Sequence, residues 1–560
     1  MQKNWWRNKV VYQIYPQSFY DSNGDGIGDI QGIIKKLDYL QDLGIDIIWI
    51  CPIFNSPMVD NGYDISDYYS IHANYGDFTD LKELIQKANE RNIKILLDLV
   101  INHCSDKHKW FQKAIQNPEG KYGDYFIFKK GKNGEPPSNW RSIFGGSVWE
   151  KVANSDYYYY HTFSKEQPDF NWENKELRTE LYKMINFWLE LGIGGFRIDA
   201  ITFIKKELSF QSLPADREDG LVGLRTVGIN YPGIEVFLKE MRRETFDKYN
   251  AFSVAEMSGV NPDHICEYIG DNGFYDTIFD FSYMNLDLDG TTHWYKHRAF
   301  SAKEVNQALF ASHQKAQDIN AFLSVVLENH DQPRALNKWF PKKEITFEMK
   351  AMLAILNLTL RGIPFLYQGQ EIGMTNHQWE CIEEIKEVKS LSQYETALSS
   401  GLSKEDAFHA IAYRSRDNAR TPMQWNDGVN GGFTSAKPWT RVNPNYTAIN
   451  VEKQQSDNKG LFSFYKRLIH IRKDVKFGNV LLEGDISQIF EEYDTIIGYE
   501  RSTSSQTLHI LLNYSDSIIE IPYPHNIWSC VVDNYNRYQF VDGILTLRPY
   551  EGVVLEIGKE

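Results

Sequence analysis

The sequence predicts an α/β protein in which eight parallel strands, alternating with helices, close into a (β/α)8 (TIM) barrel. The first observation is a series of short apolar runs that are typical of buried strands. The second is that amphipathic stretches separate these runs, such as residues 80–92, where apolar residues recur at helical spacing. Eight strands alternating with helices favour a barrel over an open sheet, and the predicted strands span residues 10–15, 46–51, 93–100, 194–198, 252–255, 277–281, 323–327 and 363–367.

Two regions break this alternation and predict further domains. Residues 104–172 are rich in Gly, Pro, Asn, Tyr and Trp and lack a helical period, so they predict a loop-rich subdomain inserted after the third strand. Residues 477–560 predict a C-terminal antiparallel β-sandwich domain, because short β-prone runs alternate there with turn residues. The barrel then comprises residues 1–103 and 173–476, and the β-prone runs lie at 495–499, 508–512, 518–521 and 553–557.

The composition limits the partners of the protein. The chain is 42% hydrophobic and 24% charged, which is typical of a globular protein, and its net charge of −15 argues against a nucleic-acid partner. The five cysteines are odd in number and widely spaced, so they predict neither a disulfide framework nor a zinc cluster. The N-terminus lacks the apolar stretch of a signal peptide, and no run reaches the ~20 apolar residues of a membrane helix. We therefore expect a cytoplasmic protein without a membrane partner, either a monomer or a weak homo-oligomer.

Three of the predicted strands deliver a carboxylate at their carboxyl ends. Asp199 ends the run GFRID, Glu256 ends FSVAE, and Asp331 follows the strand at 323–327. These ends meet at one face of a parallel barrel, so the three acids are expected to converge, with Arg197 and His330 beside them. Glycoside hydrolysis needs one carboxylate that attacks or stabilises carbon and one carboxylic acid that protonates the leaving oxygen. A single Asp at a strand end is more often a helix cap or a turn residue. Three acids at strand ends, with Arg197 and His330 beside them, favour glycoside chemistry instead.

With these residues, the chain resembles the α-amylase superfamily, glycoside hydrolase family 13, and within it the oligo-1,6-glucosidase and α-glucosidase branch. The likeness runs from Trp5 to the C-terminal domain, and the motifs occur in the family's order: DLVINH at 98–103, QPDFN at 167–171, GFRID at 195–199, the segment at Glu256, and ENHD at 328–331. The resemblance implies a retaining double displacement on a small oligosaccharide, without an organic cofactor. Asp199 would be the nucleophile, Glu256 the general acid and then the base, and Asp331 would hold hydroxyl groups of the distorted sugar.

Elementary electrostatics is consistent with this division of roles. Arg197 lies two residues upstream of Asp199 on the same strand face, so its charge favours an ionised nucleophile. Apolar surroundings and nearby negative charge would let Glu256 keep its proton near neutral pH. Asp98 is expected to be structural and to hold a backbone group or Arg197.

Further residues resemble the sugar-binding positions of exo-acting α-glucosidases. His103 and His330 resemble the family's pair that binds hydroxyl groups of the first sugar. Asp60 and Arg416 resemble a charge pair that closes the pocket around the terminal glucose, with Tyr63 stacking on the ring. The alternative for this pair is a surface ion pair worth ~0–1 kcal/mol. Three more candidates lie in the inserted subdomain, two aromatic residues that line the pocket and a glutamine that reaches the leaving sugar: Phe144, Phe163 and Gln167.

Ala200 follows the nucleophile directly and bears on the linkage that is cleaved. In the branch that the chain resembles, Val at this position accompanies α-1,6 linkages, and smaller or polar residues accompany α-1,4 linkages. A methyl group in place of an isopropyl group leaves room for a leaving sugar at a different angle. The resemblance therefore implies activity on α-1,4 bonds, with α-1,6 bonds or sucrose as further substrates.

The segment DSNGDGIGD at 21–29 predicts a metal-binding loop. Oxygen-bearing side chains alternate along it and its glycines permit a tight turn, which suits a hard cation such as Ca²⁺, although the loop lacks the Glu of an EF-hand. The alternative is an Asp/Gly turn without a metal. Relatives bind a structural Ca²⁺ here through positions matching Asp21, Asn23, Asp25 and Asp29 and the carbonyl of Ile27.

Other functions on the same scaffold stay open at this point. A transglucosidase or sucrose isomerase would share the three acids and differ in what intercepts the glucosyl-enzyme. A trehalose-6-phosphate hydrolase would need a cationic site for phosphate, and the pair Lys205 and Lys206 is the one candidate, although a solvated helix face explains it better. A non-catalytic binding subunit is disfavoured, since all three acids are present.

Overall fold

Eight parallel strands form the central sheet of this computed structural model, which describes residues 4–257, 260–289 and 293–558. The strands are β1 (Val11–Ile14), β2 (Ile47–Ile50), β3 (Lys94–Val100), β4 (Gly195–Asp199), β5 (Phe252–Ala255), β6 (Thr277–Ile278), β7 (Leu323–Val326) and β8 (Gly362–Tyr367). Neighbours pair in the order β6–β5–β4–β3–β2–β1–β8–β7, and a single parallel bridge between Phe279 and Ser324 links the two end strands into a nearly closed barrel. The fold predicted from the sequence is therefore confirmed.

The barrel strands are buried on both faces, which explains why they appear in the sequence as continuous apolar runs. The observed and predicted bounds differ mainly at two strands. β4 extends to Asp199, which pairs with Val100 of β3. β6 is shorter than predicted, because the pairing with β5 ends at Ile278 and only the bridge at Phe279 continues it.

Helices surround the barrel, and several begin at capping side chains that the sequence supplies. Asp77 and Ser301 each form a reciprocal capping box with the third helical residue. None of the helices in the described part of the chain has the length and apolarity to cross a membrane. The α-helices are Ile30–Lys35, Leu37–Leu43, Phe78–Glu90, Lys109–Ala114, Lys175–Glu190, Leu224–Val227, Ile234–Glu244, Phe246–Tyr249, Ile265–Tyr268, Ala302–Asp318, Ala335–Trp339, Phe347–Thr359, Val388–Ser399, Lys404–Arg414, Asp417–Arg420, Val451–Ser456, Leu461–Lys473 and Gly478–Leu482.

The segment between β3 and β4 covers one side of the barrel mouth. It contains a three-stranded antiparallel sheet made of Phe128–Lys130, Tyr157–Tyr160 and Trp149–Lys151. A short strand, Trp140–Arg141, pairs with Val222–Gly223 from the segment after β4, and Arg141 bonds to Asp216 and Asp219 at 2.7 and 2.6 Å. Two chain segments that are distant in sequence are thus joined above the carboxyl ends of the strands.

The C-terminal part of the chain consists of two antiparallel sheets. The sequence pattern of residues 477–560 predicted four of these strands and missed the others. One missed strand, Gln539–Val541, is exposed at every position, so it has no buried apolar face that a sequence pattern could show. The five-stranded sheet has the order Asp485–Gln488, Ile496–Ser502, Thr507–Asn513, Gly552–Ile557, Ile527–Asp533, and the three-stranded sheet has the order Ile519–Pro522, Ile544–Leu547, Gln539–Val541.

Candidate active site

The three acids at the strand ends converge at the mouth of the barrel. β4 and β5 pair with Ile198 opposite Ala255, so Asp199 and Glu256 follow at the same level. The close approach of the two strands requires Gly195, because its φ is +147° and a Cβ there would lie 2.0 Å from the carbonyl oxygen of Phe252. Arg197 joins the two acids, since Nη1 bonds to Asp199 Oδ1 at 2.7 Å and Nη2 bonds to Glu256 Oε2 at 2.8 Å.

Two cavities meet at these acids. The first, here called the inner pocket, has a volume of about 170 Å³ and contains Asp199. The second, here called the outer cavity, has a volume of about 440 Å³ and opens beside it. Five residues line both and define the junction between them: Arg225, Glu256, Asp331, Lys389 and Arg416. The inner pocket is further lined by Asp60, Tyr63, His103, Ile143, Phe144, Phe163, Ala200, Thr202, Phe203, Ile229 and Arg420.

The guanidinium group of Arg197 forms ion pairs with three carboxyl groups in this site. Arg197 Nη1 also donates to Asp98 Oδ1 at 2.8 Å, which agrees with the structural role expected for Asp98. Burial raises the pKa of Asp98 to about 6. Burial raises the pKa of Asp199 as well, and the charge of Glu256 adds to this while Arg197 opposes it. The sequence predicted that Arg197 keeps Asp199 ionised, but Arg197 is shared with two other acids, so the cluster retains a proton more readily than a simple ion pair would.

A chain of hydrogen bonds fixes the floor of the inner pocket. Gln13 Nε2 lies 2.7 Å from His330 Nδ1, which assigns the ring proton to Nε2. His330 Nε2 then donates to the Tyr63 hydroxyl at 2.6 Å, and Tyr63 donates to Asp98 at 2.9 Å. Burial lowers the pKa of His330 to about 3, so the ring is neutral. Tyr63 and His330 therefore hold fixed orientations on the side of the pocket next to the acids.

Asp331 lies in the opposite electrostatic setting. Burial by itself would raise its pKa, but the charges of Arg416 and Arg420 outweigh burial and hold the pKa of Asp331 well below its usual range. Arg420 Nη2 bonds to Asp331 at 3.0 Å and Arg416 Nη1 lies at 3.3 Å. Arg420 was not among the residues predicted from the sequence. A signal was available, because Arg420 stands four residues after Arg416 across the short helix Asp417–Arg420, a spacing that places both side chains on one face.

The closed end of the inner pocket differs in detail from the prediction. Among the described residues, the ion pairs of Arg416 are with Asp331 and with Glu387, at 3.3 and 3.6 Å, so no direct ion pair joins Arg416 to Asp60, although both residues line the pocket. Asp60 instead accepts a hydrogen bond from Gln167 Nε2 at 3.0 Å, and burial raises its pKa to about 7. Arg416 forms ion pairs with Asp331 and Glu387, and its charge acts on Asp60 only over a longer distance.

Gln167 has a positioning role rather than the sugar contact that was predicted. Its side chain is fully buried, and it bonds to Asp60 and to His103 Nε2 at 3.2 Å. The residue therefore lies behind the pocket wall and orients two groups that face the pocket. His103 itself lines the pocket, and burial lowers its pKa to about 4.

The predicted aromatic residues do line the inner pocket. The rings of Phe144 and Phe163 lie 5.4 Å apart, and Phe163 lies 5.1 Å from His103. The guanidinium of Arg416 lies 5.9 Å from the ring of Phe144. These flat apolar faces suit the carbon face of a sugar ring.

Ala200 adopts a backbone conformation that is rare for a residue with a side chain. Its φ is +46°, in the left-handed region, and its amide donates to Glu256 Oε2 at 3.2 Å. The strained turn thus links the residue after Asp199 to the second acid, while the methyl group faces the inner pocket.

Lys206 is not the solvated residue that the sequence suggested. It is buried, and its ammonium bonds to Asp169 at 2.7 Å and to Asn102 at 2.8 Å, while Lys205 pairs with Glu173. The charge pattern of a Lys-Lys pair could not reveal this, because Asp169 and Asn102 come from two other segments. Both lysines have local partners, so neither is the cationic site that a phosphate would require.

The loop at 21–29 is held by its own acids. Asp21 accepts from the amides of Gly24 and Gly26 at 2.7 and 2.8 Å, and Asp29 accepts from Ser22 and Gly32 at 2.9 and 2.6 Å. Within the described ranges, no three His, Cys, Asp or Glu side chains converge as a metal site. The oxygen-only donor set fits a hard cation chemically, but the two acids are already engaged with the backbone, so Ca²⁺ binding stays a prediction.

The fold and the site together define a glycoside hydrolase. The family model of the α-amylase catalytic domain matches residues 13–479, and the chain belongs to that family. An oligo-1,6-glucosidase from Bacillus cereus is 40% identical over 563 residues, a match that covers 100% of both chains. A trehalose-6-phosphate hydrolase structure from Bacillus licheniformis aligns with a TM-score of 0.92 and 37% identity, covering 99% of this chain and 100% of that chain. The isomaltulose synthase structure from Klebsiella sp. LX3 gives a TM-score of 0.93 and 34% identity and covers 100% of both.

Proposed function

We propose that the protein is a retaining exo-α-glucosidase that releases glucose from the non-reducing end of short α-glucosides. The observation that carries this proposal is the junction of the two cavities, where Asp199 and Glu256 share Arg197. The inner pocket is small, so it accepts one terminal sugar, and the outer cavity accepts the rest of the chain.

In the first step, Asp199 attacks the anomeric carbon while Glu256 gives its proton to the glycosidic oxygen. The bond to the leaving sugar breaks, and a covalent glucosyl ester forms on Asp199. Glu256, now ionised, then takes a proton from a water molecule, whose oxygen attacks the same carbon and releases glucose with its original anomeric configuration. Arg197 contacts both acids, which suits this exchange, because one acid must be protonated while the other is ionised.

The remaining residues of the inner pocket would bind and orient the sugar. Asp331, held anionic by two guanidinium groups, accepts hydroxyl groups and favours the positive charge of the oxocarbenium-like transition state. His103 is neutral and lines the pocket, so its ring would face the sugar, while His330 uses both ring nitrogens on Gln13 and Tyr63 and would act by orienting Tyr63. Asp60, positioned by Gln167, would bind the far side of the glucose.

The methyl group of Ala200 supports activity on α-1,4 bonds, and the similarity to oligo-1,6-glucosidases supports α-1,6 bonds as well. A second candidate is a transglucosidase or isomerase, which the similarity to an isomaltulose synthase favours. In that case the released sugar, rather than water, would intercept the glucosyl-enzyme in the outer cavity.

A substrate panel of maltose, isomaltose, sucrose and panose, followed by NMR, tests this function. We expect α-glucose as the first product. β-Glucose as the first product would contradict retention, and a new disaccharide in place of glucose would favour the second candidate.

We also propose a structural Ca²⁺ at Asp21, Asn23, Asp25, Ile27 and Asp29, and a cytoplasmic location. The five cysteines are all unpaired, which suits a reducing compartment. A chelator is expected to lower the melting temperature more than the rate of the chemical step. An unchanged melting temperature would remove the metal proposal.

A further inference from the structure

The junction of the two cavities contains two cations that the proposed mechanism does not use. Arg225 and Lys389 line both the inner pocket and the outer cavity, together with Glu256. Because Glu256 would protonate the leaving oxygen, the leaving sugar must lie next to these two side chains.

The other cations around the junction already have carboxylate partners. Arg416 and Arg420 pair with Asp331, and Arg414 pairs with Asp287 at 2.9 Å. Within residues 4–257, 260–289 and 293–558, no carboxylate lies within ion-pair distance of the Arg225 guanidinium or the Lys389 ammonium. The junction therefore carries two positive charges in excess of its own ion pairs.

The surroundings of Lys389 strengthen this conclusion. Its ammonium lies 5.3 Å from the ring of Trp294, and the nearby Glu387 is committed to capping the helix Val388–Ser399 and to Arg416. Burial and the charge of Arg416 lower the pKa of Lys389 to about 8. A half-buried cation beside another cation is a poor surface for an apolar group and a good one for an anion.

The acids that line the outer cavity have other partners and do not form ion pairs with Arg225 or Lys389 in the described part of the chain. Asp331 is bound by two guanidinium groups, and Glu256 is bound by Arg197. Asp280 accepts from the amide of Ser282 at 2.9 Å, and burial raises its pKa to about 6. Asp331 and Glu387 act on Lys389 as longer-range charges, but in the described part of the chain none of these acids lies within ion-pair distance of Arg225 or Lys389.

We propose that Arg225 and Lys389 bind an anionic group on the leaving sugar, so that the enzyme selects α-glucosides whose leaving part carries a phosphate or a carboxylate. This inference rests on the proposed α-glucosidase function and assigns the substrate class of the same site. Arginine presents a planar fork that suits either oxyanion, and lysine adds a point charge. The alternative explanation is that the two cations merely offset the acid cluster around Arg197.

Matched substrate pairs test the proposal and separate the two anions. The ratio of kcat/KM is measured for trehalose 6-phosphate over trehalose, and for maltobionate over maltose. We expect at least one ratio to exceed about 10, the discrimination that one charge-assisted hydrogen bond provides, and the pair that shows it identifies phosphate or carboxylate. Ratios near one for both pairs, with maltose still hydrolysed, would overturn the inference and leave the proposed function standing. Failure to release glucose from any of the substrates would instead overturn both.

Variants assign the preference to the two side chains. Lys389→Met and Arg225→Gln should each reduce the anionic-to-neutral ratio about 10-fold, and Lys389→Arg should retain most of it. The matched control is Lys386→Met, which removes an exposed charge whose ammonium bonds to the carbonyl of Glu383. An equal ratio in Lys389→Met and Lys386→Met would contradict the assignment. If the two cations only offset the acid cluster, Lys389→Met would move the pH profile on maltose and leave the ratio unchanged, which would also overturn the proposal.

Discussion

The acids of the site fall into two clusters with opposite electrostatics. In the cluster around Arg197, three carboxyl groups share one guanidinium, and the pKa values of Asp98 and Asp199 are raised. Asp331 instead contacts two guanidinium groups, one of which also pairs with Glu387, and the pKa of Asp331 is lowered. Desolvation acts to raise the pKa of Asp98, Asp199 and Asp331 alike, so burial alone does not decide their charge. The ratio of guanidinium to carboxyl groups decides it, and the two clusters thereby separate proton transfer from charge stabilisation.

The largest expected effect comes from breaking the first cluster at its nucleophile. Asp199→Ala should lower kcat/KM for maltose by about 10⁴-fold or more, because no covalent intermediate can form. The measurement is glucose release, with circular dichroism to establish that the variant is folded. A folded variant that keeps most of its activity would show that the mechanistic assignment is wrong.

A smaller loss is expected from the second cluster. Arg420→Met removes one of the two guanidinium partners of Asp331, so kcat/KM should fall about 10- to 100-fold, the loss expected for one hydrogen bond to a charged group. The pKa of Asp331 should rise, but Arg416 remains, so the limbs of the pH profile should stay where the Arg197 cluster places them. A large shift of either limb would show that the two clusters titrate as one.

The smallest effect on rate is expected from Asp98→Asn. This variant also tests most directly the difference between the acids around Arg197 and Asp331. This change leaves Arg197 to two carboxyl groups, so the pKa values of the remaining acids should fall. The sign follows because removing a negative neighbour favours the ionised form, so deprotonation then occurs at lower pH. Both limbs of the kcat/KM profile should move to lower pH, with Arg420→Met as the matched control. A shift to higher pH would contradict the shared-guanidinium account, and thermal melts would identify loss of folding.

Much of the fold could be predicted from the sequence, because β-strands buried on both faces leave continuous apolar runs and the helices between them leave a helical period. The same reasoning found little of the sheet structure in residues 104–172, where the strands are short, and missed Gln539–Val541, which is exposed. In the site, the residues that lie at strand ends were accessible from the sequence. Glu387, Lys389 and Arg225 were not, because none of them stands at the end of a barrel strand, and only tertiary contacts bring them to the site.

The amino-acid order is enough to place Asp199, Glu256 and Asp331 at the carboxyl ends of barrel strands, because the alternation of strands and helices puts them there whatever the details of packing. The distribution of protons and charges among these acids depends on the three-dimensional arrangement. The sharing of Arg197 by three acids, the double contact of Asp331, the position of Gln167 behind the pocket wall and the two cations without ion pairs at the junction all depend on distances between segments that are far apart in the chain. Electrostatic interactions vary with those distances and with burial, and neither quantity is contained in a local pattern of residues.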